Sequence, residues 1–177
     1  MNIRTQSLLR KYAPHIKNRQ QLADAMGVRY GVADKFWSGT LKQLQMDMLK
    51  RFVLALHLWP DAVTLGEFFE LPCTQRSRQF LSYLAKAGLK YNVADIEAVP
   101  RARLRTSALA EAAGIKSKYQ LWKVCGFPHI TAATALWHDP KRMSLENLER
   151  LIVGLKLDPA MTSLAELFDF GLPKDKV

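Results

Sequence analysis

Leu8, Leu9 and Tyr12 share one face of a helical pattern that stops at Pro14, whose ring cannot continue a helix. Asn18 opens the next helix: its side chain is placed to cap the free backbone N–H groups while Gln21, three residues on, reaches back as in a capping box. Leu22 and Met26 face inward there, and Gly27 is expected to end the helix by adopting a left-handed conformation. A third helix is predicted over residues 29–37, with Val32, Ala33 and Phe36 inward, and it breaks at Ser38-Gly39. A fourth, over 46–58, sets Leu49, Phe52, Val53 and Leu56 at helical spacing and ends at Trp59-Pro60. The last starts at Thr64, with Glu67 as its reciprocal cap and Leu65, Phe68 and Phe69 buried. Period-two alternation, the mark of strands, is almost absent, so the expected fold class is all-α.

The whole run returns 99 residues later. Ile16-Lys17-Asn18-Arg19-Gln20-Gln21-Leu22 is echoed by Ile115-Lys116-Ser117-Lys118-Tyr119-Gln120-Leu121, Gly27 by Gly126, Leu49 by Leu148, Arg51 by Arg150, Pro60 by Pro159 and Phe69 by Phe168. Solenoid units repeat at about 20–50 residues. A unit of roughly 70 is too long for that, so each copy is expected to be a small domain with its own core. The predicted boundaries are 1–72 for the first domain, 73–104 for a basic helical linker and 105–177 for a divergent second domain. Within the linker, residues 75–86 place Phe80, Leu81 and Leu84 opposite Arg76, Arg78 and Lys86, an amphipathic helix that either spaces the copies or contacts phosphate or another chain. Residues 109–115 imitate 22–28, but adopting them as the equivalent would leave the downstream helices twelve residues out of phase. They are read as the opening helix of the second copy.

Composition narrows the function. The net charge is +10 and the pI about 9.8, which favours an anionic partner. Residues 1–72 carry 10 basic and 6 acidic side chains, 73–104 carry 6 and 2, and 105–177 carry 10 and 8, so the linker is the most positive part per residue. The longest uncharged apolar stretch, 52–59, is far below the ~20 residues of a membrane span. The opening Met-Asn-Ile-Arg-Thr-Gln-Ser has no apolar core before a cleavage site, which predicts a cytoplasmic protein, and no membrane partner is expected. Cys73 and Cys125 read as reduced thiols. Cys125, His129 and His138 fall short of the four closely spaced ligands of a structural zinc site, and neither a phosphate loop nor a nucleophile elbow occurs, so no metal, no cofactor and no catalysis is expected.

A helix, a tight glycine turn and a second helix is the device that lays a helix N-terminus into the DNA major groove. Leu22-Ala23-Asp24-Ala25-Met26-Gly27-Val28 followed by Arg29-Tyr30-Gly31-Val32-Ala33-Asp34-Lys35-Phe36-Trp37-Ser38-Gly39 resembles the Cro/cI-type (XRE) family of helix-turn-helix proteins over residues 4–71. The likeness returns over 105–170. It implies two lambda-repressor-like five-helix domains, double-stranded DNA as partner and hence a nucleoid-associated location, possible homodimerisation, and transcriptional regulation by binding alone, through occlusion or recruitment at a promoter. It also implies site residues. Arg19 matches a phosphate-touching position, Tyr30, Gly31 and Asp34 base-facing positions with Arg29 and Lys35 beside them, and Ser38 a phosphate contact. Arg and Lys suit phosphate and guanine, whereas Asp34 accepts only from a cytosine amino group or is a solvated helix residue.

The second copy departs from this pattern. Trp122 stands where Ala23 does, an overpacking of about 1–3 kcal/mol unless neighbours make room. One extra residue separates Gly126 from Trp137, and Pro128 is expected to take it up by opening the turn. The reading segment, His129 to Trp137 in sequence, has no Lys or Arg. Lys118, His129, Thr131 and Thr134 are its candidate DNA contacts, and packing or dimerisation is its alternative job. For the whole chain, the alternatives to a regulator are an antitoxin-like or scaffolding interaction module and a replication or partition factor of a mobile element.

Overall fold

The computed structural model describes residues 1–70 and 101–171; the helix expected over 75–86 lies outside them. The first repeat runs α1 (Thr5–Tyr12), α2 (Arg19–Met26), α3 (Tyr30–Trp37), β1 (Gln43–Gln45), α4 (Met46–Ala55), a 3-10 turn (Pro60–Ala62) and α5 (Leu65–Phe68). The second runs β2 (Arg103–Leu104), α6 (Thr106–Ala112), α7 (Lys118–Cys125), α8 (Ile130–Trp137), β3 (Arg142–Ser144), α9 (Leu145–Gly154), α10 (Leu164–Leu167) and β4 (Phe168–Asp169). The described chain is thus mainly helical, with short strands that the sequence pattern did not predict. One of them, β2, draws residues assigned to the linker onto the second repeat by pairing antiparallel with β4.

The helix ends follow local chemistry. Gly27 and Gly126 both sit at left-handed φ (61° and 60°), and in each repeat the next residue's N–H donates back into the helix, Val28 to Ala23 and Phe127 to Trp122. Asn18 and Ser117 accept from the N–H groups of Gln21 and Gln120 as expected, but the returning Gln side chains overshoot by one residue: they accept from Lys17 N–H and Lys116 N–H, both at 2.7 Å. Ser163 and Glu166 close a full capping box. Thr64 only half closes one, because Glu67 turns its carboxylate to Lys11 and to Tyr12 Oη (2.8 Å), fastening α5 to α1. Burial, and then the Glu67 carboxylate, push the Tyr12 phenol pKa up.

The two repeats meet about a pseudo-two-fold axis. β1 and β3 pair antiparallel with Leu44 opposite Met143, residues that occupy the same place in their repeats. Thr64 likewise bridges its own counterpart Ser163. The flanking bonds are reciprocal: Met46 N–H donates to the Lys141 carbonyl (3.1 Å) and Leu145 N–H to that of Lys42 (3.2 Å), while Leu65 N–H donates to Thr162 (2.9 Å) and Leu164 N–H to Val63 (2.7 Å). Such a self-matching interface is isologous, the kind a symmetric dimer makes, here within one chain. Its consequence for packing differs from the expectation of two separate cores: the buried residues of both repeats form one continuous cluster. Phe36, Phe52, Phe68 and Phe69 pack in sequence at its first-repeat end, with ring centroids 4.9, 5.9 and 4.9 Å apart. Lys50, buried, reaches across to donate to the Phe170 carbonyl; burial lowers its pKa to about 8 against the opposing pull of Asp169.

One close approach has a measurable cost. A Cβ added at Gly154 on α9 would lie 2.5 Å from Cys125 Sγ and 2.6 Å from Cys125 Cα on α7. A backbone atom cannot turn aside, so Gly154→Ala is expected to destabilise the fold by about 1–3 kcal/mol although alanine is the better helix former. Urea unfolding measures this; a variant as stable as the parent would mean that α7 and α9 separate freely.

Candidate nucleic-acid interface

In α3, Ala33 and Phe36 are buried and Val32 and Trp37 are half-buried against the core, which leaves Tyr30, Gly31, Lys35 and Ser38 exposed on the other side. The helical period therefore separates the packing residues from those the family likeness implicates. Arg29 is the N-cap residue but makes no side-chain cap, so its guanidinium is exposed beside the uncapped first turn. Such a turn presents backbone N–H groups that favour anions.

Arg19 and Asp34 are brought together: Arg19 Nη1 lies 2.9 Å from Asp34 Oδ1, tying the start of α2 to α3. The pair is partly exposed, so its contribution to stability is small. What it changes is local charge, since the one acidic candidate is balanced by a neighbouring cation. Lys17, Asn18, Arg19, Gln20, Tyr30 and Trp37 line a shallow depression here. Ser38 uses its hydroxyl locally, donating to the Asp34 carbonyl at 2.6 Å and lying 3.0 Å from Thr40 Oγ1.

A second depression lies between α3 and the two-stranded β1–β3 ribbon. Lys35, Thr40, Lys42, Gln43 and Gln45 contribute its polar wall, over Val32, Phe36, Leu41 and Met48. None of Lys35, Lys42, Lys141 and Arg142 forms an ion pair among the described residues.

The second repeat has the same scaffold and different chemistry. Its turn is one residue longer, at Pro128, and His129 becomes the N-cap residue of α8. Trp122 is not sunk into the core as Ala23 is: its ring lies half-buried beside Tyr119 and its indole N–H donates to the Phe127 carbonyl at 2.8 Å. The expected overpacking is thus relieved. His129 and Thr131 are exposed and Thr134 is half-buried, whereas Lys118 sits 3.0 Å from His138 Nε2, at the place Arg19 and Ser38 hold in the first copy. Ile130 is 44% exposed where Tyr30 stands in the first repeat. Burial pushes the Cys125 thiol up to about 11, which disfavours the thiolate needed for metal ligation.

Sequence reasoning missed the buttress of the turn. Arg51 Nη1 lies 3.4 Å from the Met26 carbonyl and 3.5 Å from that of Gly27, and Arg150 Nη1 donates to the Gly126 carbonyl at 2.6 Å. A cation at the C-terminal carbonyls of α2 and α7 complements the helix dipole and holds the turn. The signal was present in the repeat, where these arginines match. Comparison of the chain with protein-family models, with curated proteins and with solved structures finds no match.

Proposed function

We propose that the chain is a sequence-specific double-stranded-DNA-binding transcriptional regulator, built from two Cro/cI-type helix-turn-helix repeats and acting by binding alone. The observation that carries this reading is the pairing of Leu44 with Met143 and of Thr64 with Ser163. These pairings relate α3 to α8 by an approximate two-fold, and paired reading helices of this kind address half-sites one helical turn apart. Lys35 and Arg29 on the exposed side of α3, free of ion pairs among the described residues, support it from the electrostatic side. The first repeat would then read the stronger half-site, and one copy of the chain would cover both.

Replacing Tyr30 and Lys35 together with Ala is expected to cost about 1–3 kcal/mol for each base edge that is no longer recognised. A gel shift on a site selected from random DNA reads this directly. Unchanged affinity would remove α3 from the reading role. A second reading has its own observation: among the described residues, five of the six exposed large hydrophobic side chains, Tyr119, Val124, Ile130, Val153 and Met161, lie on the second repeat. That favours a protein-interaction module, and a parent chain that retards no DNA would support it.

A further inference from the structure

We infer that the β1–β3 ribbon is itself a DNA-contacting element, seated in the minor groove between the two half-sites; the inference rests on the DNA-binding function proposed above. The ribbon alternates in burial, with Ser144 half-buried where it pairs with Gln43. Leu44 and Met143 point into the core, while Gln43, Gln45 and Arg142 are exposed on the opposite face. In antiparallel pairing Gln45 lies opposite Arg142, and Lys42 and Lys141 flank the strands, both exposed. The exposed side chains of the paired strands are therefore amide and cationic.

Its direction is set by the depression that Lys35 shares with Lys42, Gln43 and Gln45. Lys35, on the exposed side of α3, and the outward amides of the ribbon thus line one depression. On B-DNA, two major-groove half-sites one turn apart on the same face have a minor groove between them, so an element on the axis meets that groove. Arginine and lysine are drawn to minor grooves narrowed by A·T tracts, and amide side chains hydrogen-bond their acceptor edges. The central base pairs are accordingly read by shape, with A·T favoured.

The test compares the full-length parent, Lys42→Ala/Arg142→Ala, and Tyr30→Ala/Lys35→Ala on a selected site and on a site with G·C at its centre. Because Lys42 and Arg142 are exposed, the thermal melt of the ribbon variant should match the parent's. The ribbon variant is expected to lower the slope of log affinity against log salt by about two, one for each cation, and to lose the preference for the A·T centre. A ribbon variant with the parent's slope and central preference, alongside an α3 variant that loses the site, would overturn the ribbon assignment and leave the proposed function intact. A parent that binds no DNA would end both.

Discussion

Leu44→Ala is expected to cost about 2–5 kcal/mol, the largest stability loss from truncating a single side chain at the repeat junction. Leu44 is fully buried on the axis against Met143. The ribbon backbone on either side is held by hydrogen bonds from Met46 and Leu145, so the walls of the resulting void cannot easily close. Burial of one continuous cluster predicts further that both repeats lose stability together, as a single urea transition whose midpoint falls while its slope stays constant. If the variant instead unfolds in two steps with one repeat unaffected, the repeats are energetically separate and the shared cluster contributes little.

Affinity for DNA should fall about a thousandfold between 50 and 200 mM salt, given roughly six phosphate contacts. The described surface supplies enough exposed cations for that number: Lys17, Arg19, Arg29, Lys35, Lys42, Lys141 and Arg142. Arg19 is already paired with Asp34 and has the least charge to spare for a phosphate, so the other six set the expectation. Each neutralised phosphate releases condensed cations, whose return at higher salt opposes binding. Titrations at several ionic strengths measure the slope, and a flat response would favour the protein-interaction reading.

The helices were legible because they depend on neighbours in sequence. Asn18, Ser117 and Ser163 cap the turns they precede, Gly27 and Gly126 take the left-handed conformation, and Pro128 marks the longer turn. The ribbon was not legible. Gln43-Leu44-Gln45 is one polar-apolar-polar step, too short to register as a strand, and its partner lies about a hundred residues away. At the candidate site, the exposed side of α3 followed from helical periodicity, with Tyr30, Gly31 and Lys35 outward. The neutralisation of Asp34 did not, because residues 19 and 34 meet only once α2 and α3 are packed. Glu67 shows the same limit: its capping role was written locally, and Tyr12 and Lys11 draw its carboxylate away from another helix.

The axis has one further consequence, for dose and orientation. A homodimer of single repeats dissociates on dilution, so occupancy of its target rises steeply with subunit concentration; when both halves belong to one chain, assembly is unimolecular and occupancy is first order in protein. The halves are also unlike, with Tyr30 and Lys35 on α3 where Ile130 and Ala135 stand on α8. Under the proposed function such a molecule seats on its target in one orientation only. It has a head and a tail, and the apolar side chains of the second repeat would always face the same way along the DNA.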